Sequence, residues 1–215
     1  MRRRLLITLT AVGSLIVALA GTGLFAALHD TARSGTNQVQ TGELPSSADL
    51  KVATAVMGGP VACGDFSDDL SSGLFSATFE QGATTIGAAT FCLRNEGAQT
   101  VALTMGVEDV SDTELDCTGD EAVYDPTCAT GMVGELSGVF QQNVYELDCA
   151  TSAPTPLGSG SLAAMQVTPV ALGSLNQNQT RCFAVGTLLT ATPEQQQAAQ
   201  TDQVTWRYVW SGDVS

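Results

Sequence analysis

Histidine is almost missing from this chain, which has only His29, and basic side chains are scarce, with eight Lys and Arg against 22 Asp and Glu. A lone histidine near one end leaves a Ser-His-Asp triad or a His-based zinc site without its parts. The G-x-S-x-G nucleophile elbow, the H-E-x-x-H pair and a phosphate-cradling glycine loop ahead of a helix are all lacking. So is any C-x-x-C pair, which removes a zinc ribbon and a thioredoxin-like redox site. Paired carboxylates of a glycosidase could come together from among the acids, but the sequence singles out no such pair. The chain is therefore expected to be non-enzymatic and to need no cofactor.

The first thirty residues have their own logic. Arg2, Arg3 and Arg4 precede Leu5 to Leu28, a run without a charged residue. A positive start, an apolar middle and small residues before a polar continuation form a signal peptide. Gly21 to Gly23 break the helix, and Ala26 and Ala27 supply the small side chains of a cleavage site, with the cut after Ala26. The run is also long enough, at about 20 residues, to span a bilayer. An uncleaved leader acting as an anchor is thus the alternative, and the only expected membrane contact. The neighbouring arginines lack the rest of a twin-arginine signal. No sorting motif or second hydrophobic segment precedes Ser215, so the mature protein is expected free or non-covalently held.

Without the three leader arginines, five basic residues face 22 acidic ones, a formal charge of −17. Nucleic acid and anionic membrane surfaces are not partners for such a surface. A hydrophobic content of 44% with 14% charged residues opposes disorder. The expected organisation is a leader over 1–26, an extended N-terminal segment over 27–49 and one domain over 50–215.

Six cysteines follow the leader, an even number that in an exported protein reads as disulfides. Cys117 with Cys128 makes a local loop staple. Cys92 alternates with Phe91 and Leu93, and Cys182 with Phe183 and Val185, so the apolar residues face inward and the two cysteines outward on strands expected to be neighbours. That places Cys92 with Cys182 and leaves Cys63 with Cys149.

Short alternating segments divided by Gly, Asn, Asp and Pro, with no long amphipathic helix, predict an all-β antiparallel sandwich. The strands are expected over Leu50–Met57, Leu74–Phe79, Thr84–Arg94, Thr100–Val107, Val139–Leu147, Ser161–Val170, Arg181–Leu189 and Val204–Trp210. In the last of these Val204, Trp206, Tyr208 and Trp210 recur with period two and form a core stripe, a carbohydrate platform being the alternative. Thr151–Gly160 reads as a flexible connection, and Pro193–Ala199 as a turn or two of helix capped by Thr192. The sequon at Asn178 to Thr180 takes a glycan in a host that glycosylates such sites.

Between Glu108 and Asp125 lies an acidic, turn-rich stretch. Asp112, Glu114, Asp116, Asp120 and Asp125 are its calcium-ligand candidates, although the register of an EF-hand loop is absent and a solvated loop is the plainer reading.

The leader junction and two internal motifs resemble a known family. GTGLFAALHDTARSGTNQVQTGELPSSADLKV, with Leu28, His29, Asp30 and Thr31 in the F-x-D-T position, is similar to the SipW-type leader and mature start of TasA and camelysin-like proteins. FCLRNEGAQ at Phe91–Gln99 resembles a family strand ending in N-x-G. LGSLNQNQTRCFAV at Leu172–Val185 and the approach to the final strand from Gln200 to Trp210 are similar to further family segments. The resemblance implies a jelly-roll-like or Ig-like sandwich, processing by a SipW-type signal peptidase, secretion to the extracellular matrix, biofilm or cell surface, and in some members homopolymeric fibres. Such fibres grow by lending an N-terminal strand, here Ala27 to Leu44, to the next subunit. It also implies an alternative, a camelysin-like metallopeptidase, whose zinc would rest on His29 plus carboxylates, while the acidic loop or exposed aromatics would serve a secreted calcium- or glycan-binding module.

Overall fold

The computed structural model describes residues 29–34, 48–70, 73–74, 85–114, 116–117, 121–128, 134–199 and 202–214, with the backbone alone for 29–34 and 85–86. The strands are β1 His29–Ser34, β2 Leu50–Val56, β3 Ala62–Cys63, β4 Asp69–Leu70, β5 Thr85–Asn95, β6 Val101–Glu114, β7 Phe140–Leu147, β8 Pro154–Ser161, β9 Val170–Leu175, β10 Thr180–Leu189 and β11 Asp202–Val214. They form one sheet ordered β4-β1-β11-β6-β9 and another ordered β3-β2-β5-β10-β7-β8. All pairings are antiparallel except the short β1–β4 contact. The two sheets pack as a β-sandwich.

Period-two alternation builds the interface between the sheets. Phe91 and Leu93 on β5, Phe183 and Val185 on β10, Val101, Leu103 and Met105 on β6, and Tyr208 and Trp210 on β11 share one buried cluster. Phe91 stacks on Phe183 at 5.5 Å and meets Trp210 at 5.0 Å, which ties the sheets together at the centre. Burying each such side chain contributes roughly 1.5–3 kcal/mol. The aromatic stripe of β11 is thus core, with Trp206 half-buried where the β11–β6 register shifts between Thr205 and Arg207.

Polar groups fix the crossings between sheets. Asn95, fully buried at the end of β5, donates through Nδ2 to the carbonyls of Gln99 at 2.6 Å and Leu175 at 3.1 Å, while its Oδ1 accepts the Gly97 N–H at 3.0 Å. One side chain therefore closes the N-E-G turn and pins it to the end of β9. Gln142 Oε1 accepts the hydroxyls of Thr187 at 2.9 Å and Tyr208 at 2.7 Å, linking β7 and β10 to β11.

Several expectations need correction. The segment expected as a strand over Ser161–Val170 holds a helix, Leu162–Val167, whose N-cap Ser161 accepts the Ala164 N–H. The connection expected over Thr151–Gly160 is largely β8, an edge strand paired with β7 alone. An edge position tolerates its prolines, since one side of the strand needs no ladder partner. The strand expected to stop at Val107 continues to Glu114, taking half of the acidic stretch into β6. The strand expected over Leu74–Phe79 falls almost wholly outside the described residues. Thr192 caps the helix Pro193–Ala198 in a full capping box with Gln195.

All six cysteines are paired, and Cys117–Cys128 is present as expected. The other two bridges are Cys63–Cys92 and Cys149–Cys182, not Cys92–Cys182 and Cys63–Cys149. Nor do Cys92 and Cys182 face solvent. The chain after β2 folds back over the outer face of its sheet, where Ala53, Val61, Cys92, Leu147 and Cys182 form a second buried cluster with Phe66 against it. That fold-back brings Cys63 over Cys92, and the turn after β7 brings Cys149 to Cys182, with the Val61 N–H donating to the Cys149 carbonyl at 2.7 Å. Three disulfides point to an oxidising compartment. Among the described residues no helix is long and apolar enough to cross a membrane.

Candidate functional site

The acidic residues gather at one end of the β6–β11 pair. Glu114 closes β6 and Asp202 opens β11, and the register sets them directly opposite one another. The loop after β6 is clamped by Cys117–Cys128 and contains a single helical turn, Glu121–Tyr124. Its closing hydrogen bond, from the Asp125 N–H to the Glu121 carbonyl at 2.8 Å, stacks Glu121 and Asp125 one above the other. Glu135 arrives from the segment before the short helix Leu136–Val139, and its N–H donates to Asp202 Oδ2 at 2.6 Å. Four separate segments thus deliver Glu114, Glu121, Asp125, Glu135 and Asp202 to one place.

Most of these side chains are out of water. Glu121 is 0%, Glu114 3% and Asp125 4% exposed. Carboxylate oxygens of Glu114 and Glu121 lie within 4.8 Å of each other and of the Cys128 sulfur. Asp125 Oδ1 accepts both the N–H and the hydroxyl of Thr127 at 2.7 Å. Burial, reinforced by the charges of Asp125, Asp202 and Glu114, pushes the Glu135 carboxyl well above the usual carboxylate range. Burial likewise raises Asp202, with Glu114 and Glu121 adding to the effect. Among the described side chains, Lys51 pairs with Asp49 and Asp68, Arg94 with Glu96, Arg181 with Glu146, and Arg207 with Glu108 and Asp109.

The sequence candidates divide three ways. Glu114 and Asp125 are in the cluster. Asp112 is committed to the Ser137 N–H at 2.9 Å, and Asp116 Oδ1 to the Cys117 N–H at 2.8 Å. Asp120 lies outside the described residues, as do Ala26 and Ala27 of the expected cleavage site. Glu121, Glu135 and Asp202 were not among the candidates. Glu121 had a local signal, four residues ahead of Asp125, whereas Glu135 and Asp202 reach the site only through the fold.

The sulfurs of Cys63, Cys92 and Cys182 also converge, but each is in a disulfide and offers no thiolate to a metal. Compared with known proteins, the chain matches no family model and no curated protein sequence.

Proposed function

We propose that this is a secreted, non-enzymatic structural protein of the extracellular matrix or cell surface, which assembles by lending its N-terminal strand to a neighbouring copy. One observation carries the reading. β1, beginning three residues beyond the expected cut after Ala26, is an inserted strand: it pairs antiparallel with β11 over His29↔Asp213 to Arg33↔Val209 and touches β4 on its other side. The association is a backbone ladder, which another copy of the same strand can make equally well.

Residues 35–49 separate β1 from β2 in the sequence, and at about 3.3–3.6 Å per extended residue a chain of that length can reach a neighbouring subunit. A strand passed from each copy to the next is a head-to-tail contact, which propagates as a filament unless the rotation closes a ring. The disulfides and the TasA-like leader junction fit the same extracellular setting, with a SipW-type signal peptidase exposing β1.

The test is electron microscopy and sedimentation of the chain starting at Ala27, beside a variant lacking residues 27–44. Filaments and concentration-dependent sedimentation in the first, lost in the second, are expected. A strict monomer at every concentration, unchanged by the deletion, overturns the assembly reading.

A further inference from the structure

Among the buried acids at the end of β6 and β11, three oxygens point to what belongs there. Asp125 Oδ2, Glu135 Oε2 and Asp202 Oδ1 are each sealed from solvent with no N–H or neutral hydroxyl donating to them, and the Glu135 and Asp202 carboxyls face one another. Asp125 is itself only 4% exposed. These atoms come from three different segments, and a deprotonated carboxylate oxygen can only accept. Burying an ionised carboxylate alone is among the costliest arrangements a fold can contain. Here like charges are also set opposite each other across a strand pair and four apart on a helical turn, both unfavourable placements.

We propose that Glu114, Glu121, Asp125, Glu135 and Asp202 form a calcium site. The donors are all oxygen, which selects a hard cation. The one histidine lies in β1, and every cysteine is in a disulfide, so soft or borderline metals find no ligands. Calcium accepts six to eight oxygens in irregular geometry, as carboxylates from four separate segments can provide. Magnesium prefers a strict octahedron and keeps several waters, which a cluster of largely buried carboxylates does not suit. The backbone is shaped to the cluster as well: a Cβ on Gly134 would stand 2.6–2.8 Å from the Asp202 carboxylate atoms, so any other residue here would push that carboxylate aside.

The site is independent of strand exchange, and its test reads a different quantity. The chain from Ala27, stripped with EDTA and dialysed at fixed ionic strength, is titrated calorimetrically with calcium chloride and melted with and without it. Saturable binding near one ion per chain is expected, with Tm raised by about 5–10 °C when calcium is a hundredfold above Kd. The double variant Asp125→Asn with Asp202→Asn should lose at least tenfold in affinity while melting in EDTA no lower than the parent, which shows that it folds. Absence of binding and of any Tm change at millimolar calcium overturns the proposal. So does an equal response to magnesium, which marks general screening of an acidic surface, and so does unchanged affinity in the double variant.

Discussion

Cys92 lies directly opposite Cys182 across β5 and β10, with the two sulfurs 3.9 Å apart, yet each is bonded to a cysteine from elsewhere. Two disulfides therefore lie side by side under the fold-back that follows β2. A thiol created at either position would sit within reach of the neighbouring bridge.

Replacing Cys63 by Ser frees the Cys92 thiol beside the Cys149–Cys182 bond. Attack by the Cys92 thiolate on Cys182 forms Cys92–Cys182 and releases Cys149 as a thiolate, an exchange that needs no external oxidant. Non-reducing peptide mapping of Cys63→Ser should recover both Cys149–Cys182 and Cys92–Cys182, with alkylation divided between Cys92 and Cys149. In the parent, mapping should give only the three native bridges, and label confined to Cys92 in the variant would show that no exchange occurs.

Removing Cys117–Cys128 should act on stability and on the acidic site together. A loop closed over a sequence separation of 11 gives a chain-entropy stabilisation of roughly 2–3 kcal/mol. Urea denaturation of Cys117→Ser with Cys128→Ser is expected to lose that amount. The same variant should bind calcium more weakly, because the loop holding Glu121 and Asp125 is no longer clamped. Unaltered calcium affinity would mean that the clamp does not order these ligands.

Asn95→Ala removes the side chain that holds the β5–β6 turn against the end of β9. It leaves the Gln99 and Leu175 carbonyls and the Gly97 N–H without this partner. A loss of about 2–4 kcal/mol is expected from two-state unfolding curves, since orphaned buried groups retain their desolvation cost. A change below about 0.5 kcal/mol would show that water takes over the role.

Tyr208 governs an alkaline limit. Burial lifts its phenol above the ordinary value of 10.0, so the folded state resists an ionisation that the unfolded chain undergoes. The stabilisation is full below about pH 10 and is lost as pH rises from there toward the raised folded value. Tyr208→Phe should be about 1 kcal/mol less stable at pH 7, through loss of the bond to Gln142. Its stability should then fall less steeply above pH 10. Parallel pH profiles for the two proteins would remove Tyr208 as the cause.

Alternation made the sandwich legible in the sequence. Phe91 and Leu93, Phe183 and Val185, and Tyr208 and Trp210 announce strands because side chains two apart must share a face. Thr192 and Pro193 marked their helix through local capping chemistry. What escaped was decided at a distance. Leu162–Val167 is a short apolar run that periodicity cannot assign, and β8 needs no apolar pattern because it lies at an edge. The bridges of Cys92 and Cys182 follow the path of the chain over the sheet, not the register within it. Glu135 and Asp202 join Glu114 and Asp125 through strand pairing and a glycine approach, so no spacing could announce them.

The pairing of β1 with β11 also sets an order of events. Of the described strands, β1 leaves the ribosome first, while its main ladder partner is the last to be made. Closing that contact means closing the longest loop in the fold, a slow step by loop-closure entropy. Until then the edge of β1 that faces β11 is open, and under the proposed exchange a finished monomer must give up this ladder before it can offer the strand to another. Under the proposed strand exchange, whether a given copy ends closed on itself or joined to a neighbour is thus a race between an intramolecular search of fixed rate and an encounter whose rate rises with concentration.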